Sequence, residues 1–508
     1  MEKKIIIIGA GIGGLATGCY AQLCGYRSTI YEMHSVPGGL CTAWHRHGYT
    51  FDGCIHNLAG SAPASAFHGM WRELGVIPAV AMHDHAELVR VERPDGPPLT
   101  VHADLDRLER HLKELAPGDG AVIDEVVRAA RQFTRIDVLG LALATPFERL
   151  RALISAAPLL AKYDGTTLEQ FAGRFSDRFL RSAFPTLVYD WPQQSMLMFL
   201  QFLGRLHIGD LGWPAGGSYA VAQAIAQHYG RLGGQISYHS QVRNILVEGD
   251  RAVGVVLGDG TEVRADVVIS NANGYATIFE MLGGKYTNRA IRTYYGRPED
   301  RIEMGIHVSL GVARDLSSEP HAIMLPLEQP AMIADQLRHR LYVELFGFDA
   351  SLAPPGKSVL KVVMATSFRY WQDLHKDAER YSAEKAKIGN AVIDLLAVRF
   401  PGLRRQIEAV DVATPMTTLH FTGNGHGYRM PISRMILSLI TGKRLSQTLP
   451  GLTNFYMVGQ WAGVPGVSTV AAMGRDVIRE ICRRDKRPFV TERASGASPA
   501  GAMKVSTR

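Results

Sequence analysis

The sequence predicts an α/β protein, and three stretches carry the prediction. Residues 3–32 (KKIIIIGAGIGGLATGCYAQLCGYRSTIYE) run through a β-branched apolar segment, a glycine-rich turn, a helical pattern and a second strand. Residues 235–269 hold several short β runs, and residues 455–481 repeat the order strand, glycine, helix. The segments between them add helices over 104–211, and strands with one helix over 300–450, an α+β composition. With 508 residues, 46% of them hydrophobic, the chain can bury large cores. That length fits two to four domains or one architecture of interleaved domains.

Ile5, Ile6, Ile7 and Ile8 form an unbroken apolar run, which suits a strand buried on both faces. Gly9-Ala10-Gly11-Ile12-Gly13-Gly14 follows, and Leu15, Ala16, Cys19 and Leu23 then recur at helical spacing. A second strand, 28–31, ends at Glu32, eighteen residues after Gly14. This is the layout of a Rossmann-type dinucleotide site. Gly9 permits the tight turn, Gly11 lets backbone approach a pyrophosphate, and Gly14 lets the helix pack on the strand. The helix N-terminus favours phosphate charge, and Glu32 is placed to accept ribose hydroxyls. Gly38 and Gly39 add a second glycine pair soon after the acid. That suits a longer pyrophosphate-bearing ligand whose phosphates meet backbone N–H groups twice. An ordinary strand–turn–helix is the competing reading, and the ordered set of strand, glycines, helix, strand and acid argues against it.

The helices of 104–211 are DLDRLERHLKELAPGD, AVIDEVVRAARQFTRI, FERLRALISAAPLLAKY, TLEQFAGRF and SMLMFLQFLGRL. The Met/Phe-rich last one reads as core packing, with a substrate tunnel as the alternative. The stretch 138–162, apolar with arginines, reads as a buried helix rather than one lying on a membrane surface. Gly216-Gly217-Ser218 opens a helix that ends at Gly233-Gly234. Strands follow at 235–238, 242–248 and 252–257, and after the Asp259-Gly260 hairpin turn the run 262–269 returns as the next. GIHVSLGVA, RLYVELFGF and SVLKVVMATSF are strand-like, with a helix near 382–400. Strand 455–458 leads to Gly459, and Pro465-Gly466-Val467-Ser468 opens the last helix. No second glycine-rich strand–turn–helix occurs, so no dedicated NAD(P)H domain is expected.

The net charge of +7 is concentrated at the end: residues 483–508 hold seven Lys/Arg and two acids, so the remainder is nearly balanced. Such a distribution argues against nucleic acid as a partner and for a solvated tail, with anionic lipid as the alternative contact. The five cysteines (Cys19, Cys24, Cys41, Cys54, Cys482) show neither metal spacing nor a disulfide framework, so no metal site and a reducing, cytoplasmic setting are expected. The first apolar run passes straight into glycines, which reads as a strand and not a signal peptide. No apolar run of about 18 residues suggests a membrane span.

The pattern GxGxxGL…E…GG…GYxFDxG, from Gly9 to Gly53, resembles the N-terminal signature of FAD enzymes of the phytoene desaturase and amine oxidase superfamily, retinol saturases included. The blocks 212–273 and 453–481 resemble later segments of the same family, so the likeness spans nearly the whole chain. It implies FAD as cofactor and a Rossmann-type FAD-binding domain (GR2-like) interleaved with an α+β substrate domain. The FAD domain is then 1–103, 212–300 and 451–482, the substrate domain 104–211 and 301–450, and 483–508 a flexible basic tail. The resemblance further implies that backbone at Val242 meets adenine. It puts Gly459, Gly466 and Val467 beside the flavin, where a helix N-terminus stabilises charge on the reduced ring.

In that family the segment matching FDGCIHNLAG (51–60) runs to the cavity before the flavin. Asp52 reads as a residue that orders backbone, and Cys54 as a small filler. His56-Asn57 departs from the apolar or hydroxyl residues of the desaturases. His56 is therefore either a proton donor or acceptor beside the flavin or a hydrogen-bonded structural histidine. The loop 423–434 resembles flavin-proximal loops of related oxidases, which makes His426 and Tyr428 further catalytic candidates; Arg429 reads as solvated or as an anion contact. The function implied is hydride transfer between flavin N5 and a carbon–carbon bond of a lipophilic polyene or isoprenoid-like substrate, its direction open. An external electron donor or acceptor (quinone, oxygen or NAD(P)H) completes the cycle, and peripheral membrane contact is compatible with such a substrate. Two rival readings are a flavin amine oxidase, with Trp461 and Tyr428 near the ring, and a non-redox lipid escort resembling Rab dissociation inhibitors.

Overall fold

A computed structural model describes residues 2–296, 303–425, 446–462 and 466–492. Five parallel strands form the sheet that begins the chain, in spatial order Gln235–Ser237, Arg27–Tyr31, Lys4–Ile8, Val267–Ser270 and Phe455–Met457. The chain enters this sheet in three separate passes. The four-isoleucine strand is buried on both faces by different partners. Ile5 and Ile7 pack with the helices Ile12–Leu23, Gly217–Arg231 and Val467–Arg484. Ile6 and Ile8 pack under a meander of three strands, Val242–Glu248, Arg251–Leu257 and Glu262–Arg264. The expected strand 262–269 is in fact two. Ala265 N–H still donates to Val253 in the meander at 2.9 Å, while Asp266 N–H donates to Lys4 in the parallel sheet at 2.9 Å. The change of partners falls between Ala265 and Asp266, and the chain bends there.

A second sheet has seven strands, ordered Ile407–Ala413, Glu303–Val312, Ser358–Ser367, Gln336–Leu345, Ala322–Ile333, Glu87–Val91 and Leu99–His102. All neighbours are antiparallel except Ala322–Ile333 and Glu87–Val91. Residues 87–91 and 99–102 thus pair into this sheet, whereas the sequence groups them, up to 103, with the FAD-binding segments. Strand Ala322–Ile333 carries Pro326 and Pro330, which mask it in the sequence; its register slips between Pro326 and Ala331, where a missing N–H costs no ladder bond. One face of the sheet (Ile306, Val308, Val343, Val362) packs on helix Ala378–Arg399 through Ile388, Val392 and Leu396.

The helices of 105–207 gather with Val89, Val101 and Met324 around a separate core. Met196–His207 is buried there, so its Met/Phe run is packing. Helix Pro146–Tyr163 departs from expectation. A Thr145/Glu148 capping box starts it, and Ala156, Leu159 and Tyr163 are buried. Yet Phe147, Leu150 and Ile154, on one helical stripe, are 75%, 55% and 68% exposed. It is an amphipathic surface helix and not a buried one. Residues 483–490, expected to belong to a tail, pack against the body of the protein. The last helix continues to Arg484, Lys3 Nζ meets Asp485 at 2.5 Å, and Val490 N–H reaches Cys24 Sγ at 3.3 Å. No helix among the described residues is long and apolar enough to cross a membrane.

Candidate active site

Helix Ile12–Leu23 starts directly after the glycine turn, with Gly11 as its N-cap. Gly14 has no substitute: a Cβ there would lie 2.1 Å from the Gly9 carbonyl oxygen. Gly38, at φ +121°, is equally constrained, because its Cβ would meet the Cys41 carbonyl oxygen at 2.1 Å. The two glycine loops form one cradle. Gly11 and Gly38 make a β-bridge, and Gly38 N–H donates to Ala10 at 2.9 Å. Glu32 closes one side, accepting from Ala10 N–H at 2.6 Å and His34 N–H at 2.8 Å. Each carboxylate oxygen keeps a lone pair for a further donor such as a ribose hydroxyl. Burial pushes the Glu32 carboxyl up, and those backbone bonds oppose the shift.

A cavity of about 820 Å³ runs through the cradle. Gly9, Gly11, Gly13, Glu32, Gly38 and Gly39 border it, as do Val242, Gly459, Gly466 and Val467. Gly14 lies behind this wall and sets how closely helix and strand approach. The N-termini of helices Ile12–Leu23 and Val467–Arg484 both border the space, so two helix dipoles favour anionic groups in it. Asn271, which follows the strand Val267–Ser270, also borders it, and Cβ atoms on Gly11 and Gly13 would collide with its side chain. Sequence reasoning passes over Asn271; its only signal is its place just after an apolar strand that returns beside the first. A cradle of glycines, two dipoles and one buried carboxylate fits a dinucleotide.

This space opens into a larger cavity of about 1800 Å³, and Gly39, Leu40, Cys54, Asn424 and Gln460 border both. The cleft face of the seven-stranded sheet roofs the larger one through Gly305, His307, Arg338, Arg340, Tyr342 and Val363. His56 lines it beside the junction. Its Nδ1 lies 2.5 Å from Glu344 Oε1, and its ring stacks on Tyr189 with centroids 4.3 Å apart. Asn57 Nδ2 donates to the Tyr189 hydroxyl at 2.8 Å. Behind His56 the charges continue inward. Glu344 Oε2 meets Lys361 Nζ at 2.9 Å, and Lys361 Nζ lies 3.5 Å from the Asp52 carbonyl and 4.0 Å from its carboxylate. Asp52 accepts from Ser218 N–H at 2.5 Å, Ser218 Oγ at 3.0 Å and Cys54 N–H at 3.1 Å. The backbone-ordering reading of Asp52 is what the geometry shows.

Burial alone would raise Glu344, but the charges of His56 and Lys361 outweigh it and hold the carboxyl well below the usual range. Burial works against the Lys361 ammonium, and Glu344 and Asp52 more than offset that. Burial pushes Asp52 up despite Lys361. His307, also on the cavity, is pushed down to about 3 by burial and by the nearby charge of Lys361. With Nδ1 of His56 committed to Glu344, Nε2 is the nitrogen left to exchange a proton with a ligand.

Glu344 and Lys361 escape a reading of the sequence, although their positions carry a signal. In RLYVELFGF the alternation sets Glu344 opposite the apolar residues, and Lys361 is a lone charge in an apolar run. Tyr189 carries no signal. Cys41 and Cys54 are free thiols with Sγ atoms 3.8 Å apart, and Cys54, half-buried against the core of the first sheet, also borders both cavities. Trp461 borders the nucleotide cavity and packs beneath it, away from the larger one. His426, Tyr428 and Arg429 lie outside the described residues. Among the described residues no cluster of His, Cys, Asp or Glu could hold a metal ion.

The profile of the flavin containing amine oxidoreductase family matches residues 12–384. The chain belongs to that family, and FAD is its cofactor. Among curated proteins it is similar to the chloroplastic prolycopene isomerase of Arabidopsis thaliana, 24% identical over 92% of this chain and 80% of that protein. It is also similar to the lycopene-forming phytoene desaturase of a Paracoccus species, 25% identical over 92% of this chain and 95% of that one. Among solved structures, an oxidoreductase from Methanosarcina mazei superposes with a TM-score of 0.59 at 18% identity, over 94% of this chain and all of that one, which shows the common fold.

Proposed function

We propose that this flavin-dependent oxidoreductase moves a hydride between FAD and a carbon–carbon bond of a polyene or isoprenoid-like substrate held in the larger cavity. His56 acts as the proton donor or acceptor. The observation that carries the reading is the place of His56: on the wall of the larger cavity, two residues from Cys54 which borders both cavities, stacked on Tyr189 and tied by Nδ1 to a buried ionised Glu344. The polyene chemistry named in relatives that share over 90% of this chain's length supports the substrate class.

In this proposal Gly9, Gly11, Gly13, Gly38 and Gly39 hold the pyrophosphate, Glu32 the ribose, and Val242 the adenine end. Gly459, Gly466 and Val467 present backbone at the far end. FAD bound there supplies two-electron hydride chemistry. The protein's part is to exclude water, align the reacting bond and pass one proton through His56 Nε2. Glu344 fixes the ring and its tautomer, and Lys361 helps keep Glu344 ionised.

Anaerobic flavin spectroscopy tests this. Saturated polyene precursors should bleach the flavin if the protein desaturates, and dienes or enones should restore colour to reduced protein if it saturates. His56→Phe should retain FAD and slow either change by about 100-fold. A rate unchanged by His56→Phe removes the proton role, and no response to any polyene removes the substrate class.

The exposed stripe Phe147, Leu150 and Ile154, with Arg149 and Arg151 beside it, fits contact with an anionic membrane surface, from which a lipophilic substrate enters. Flotation with vesicles containing phosphatidylserine should carry the protein upward, and Phe147→Gln/Ile154→Gln should leave it at the bottom. Equal flotation of both would end this reading.

A further inference from the structure

The cleft face of strand Gln336–Leu345 is charged over much of its length. Alternation turns Gln336, Arg338, Arg340 and Tyr342 to the larger cavity, while Leu341, Val343 and Leu345 enter the core behind. A cavity for a pure hydrocarbon gains nothing from two arginines in its wall, and guanidinium groups facing a dry ligand are costly to desolvate. Three acids share the lining. Glu32 sits at the nucleotide end, Asp411 is bridged to Arg46 at 3.3 Å, and Asp190 is bridged to Arg340 at 2.6 Å. Arg338, which donates to the Ala365 carbonyl, and Lys385 add further positive charge to the lining.

Asp190 takes the Nε of Arg340, and among the described residues nothing bonds its two Nη atoms. The backbone that presents Asp190 is strained. Tyr189 and Asp190 are consecutive non-glycine residues with φ of +53° and +55°. One touches His56 and the other Arg340, so this one turn sets both positions, and strain held at such a place points to function.

Resting on the reading of the larger cavity as the substrate cavity, we infer that the substrate bears a carboxylate at one end and that Arg338 and Arg340 receive it. The guanidinium fork matches a carboxylate with two parallel hydrogen bonds, which a hydroxyl or an ester cannot reproduce. The strand also sets a length. Arg340 and Arg338 lie four and six residues from Glu344, the partner of His56, or about 14 Å and about 20 Å at the rise of an extended strand. Tyr342 and Val363 line the interval. The substrate is thus an amphiphile whose reacting bond is separated from its anion by an extended apolar chain of that span.

The FAD-loaded protein is titrated with all-trans-retinoic acid and with its methyl ester, reading the shift of the flavin absorption bands on binding, without turnover. The acid should bind at least tenfold more tightly than the ester, and added salt should narrow the gap. Arg338→Met and Arg340→Met should each bring the ratio toward one at unchanged FAD content. Should Arg340→Met fail to fold, Arg338→Met and the wild-type ratio still decide. Equal binding of acid and ester by the wild type overturns the carboxylate inference and leaves the polyene reading standing. No band shift with either ligand overturns both.

Discussion

At the scale of residues, the molecule's most consequential feature is the buried line Asp52, Lys361, Glu344, His56. Lys361 is 1% exposed and stands between two carboxylates contributed by different sheets. Removing the cation alone leaves Asp52 with no opposing charge and Glu344 with His56 only. Lys361→Met should therefore cost about 3–5 kcal/mol in urea unfolding, and adding Glu344→Gln should recover part of it. A loss below about 1 kcal/mol would show that the charges are not dehydrated as the geometry indicates. A second group concerns pH. The rings of His85 and His321 stack with centroids 3.6 Å apart, and burial pushes them down to about 2 and about 4; His307 sits at about 3 for the same reason. Each folded value lies below the ordinary 6.5, so between pH 6.5 and about 4 the unfolded chain takes up these protons and the folded one does not. Stability contributed by the neutral rings is complete above pH 6.5 and is lost as pH falls. Urea midpoints should drop across that window, and His321→Gln should flatten the slope. An identical slope in the variant would place the acid sensitivity elsewhere.

At the scale of elements, the glycine cradle and its flanking helices are the proposed seat of FAD. Gly14→Val puts side-chain atoms where the Gly9 carbonyl stands, which drives helix Ile12–Leu23 off the strand. The purified variant should be colourless, with FAD content at or below a tenth of the wild type by absorbance. A yellow variant of normal stoichiometry would mean that the close approach is not needed. This cradle is legible in the sequence because its determinants are local: turn, helix start and ribose acid fall within one strand–helix–strand unit. Helix Pro146–Tyr163 is harder to place, because its apolar content suggests burial and only the stripe shows which way it faces. Phe147, Leu150 and Ile154 share one face and point outward. Strand Ala322–Ile333 is hidden in the sequence because two prolines argue against a strand, and the bulge that admits them forms only against its neighbour.

At the scale of the whole molecule, three chain passes of the parallel sheet meet at the nucleotide cavity, contributing residues from 8–41, 241–281, and 459–461 with 466–470; residues from 368–372 and 419–425 also border it. A ligand that touches all three ties the passes together, so FAD should stabilise the fold as a unit. At 100 times its dissociation constant the gain is about 2.7 kcal/mol. Protein stripped of FAD should melt several degrees below the reloaded protein, with one transition in each case. An unshifted melting point would mean that the cavity does not link the passes. The larger cavity also exists only at this scale. Its floor is the loop after Asp52 and its roof is the cleft face of the seven-stranded sheet, joined by the Asp52, Lys361 and Glu344 contacts.

The sequence by itself determined the cofactor unit, the family resemblance and His56 as a candidate, because each depends on residues close together in the chain. Tertiary structure alone decided that His56 is held by Glu344, 288 positions away, and stacked on Tyr189, 133 positions away. It also decided that Arg338 and Arg340 face the same cavity. The physical reason is range. Turn geometry and helix periodicity act over a few residues and leave a local pattern, whereas a buried ion pair or a ring stack records only where two distant segments came to rest against each other.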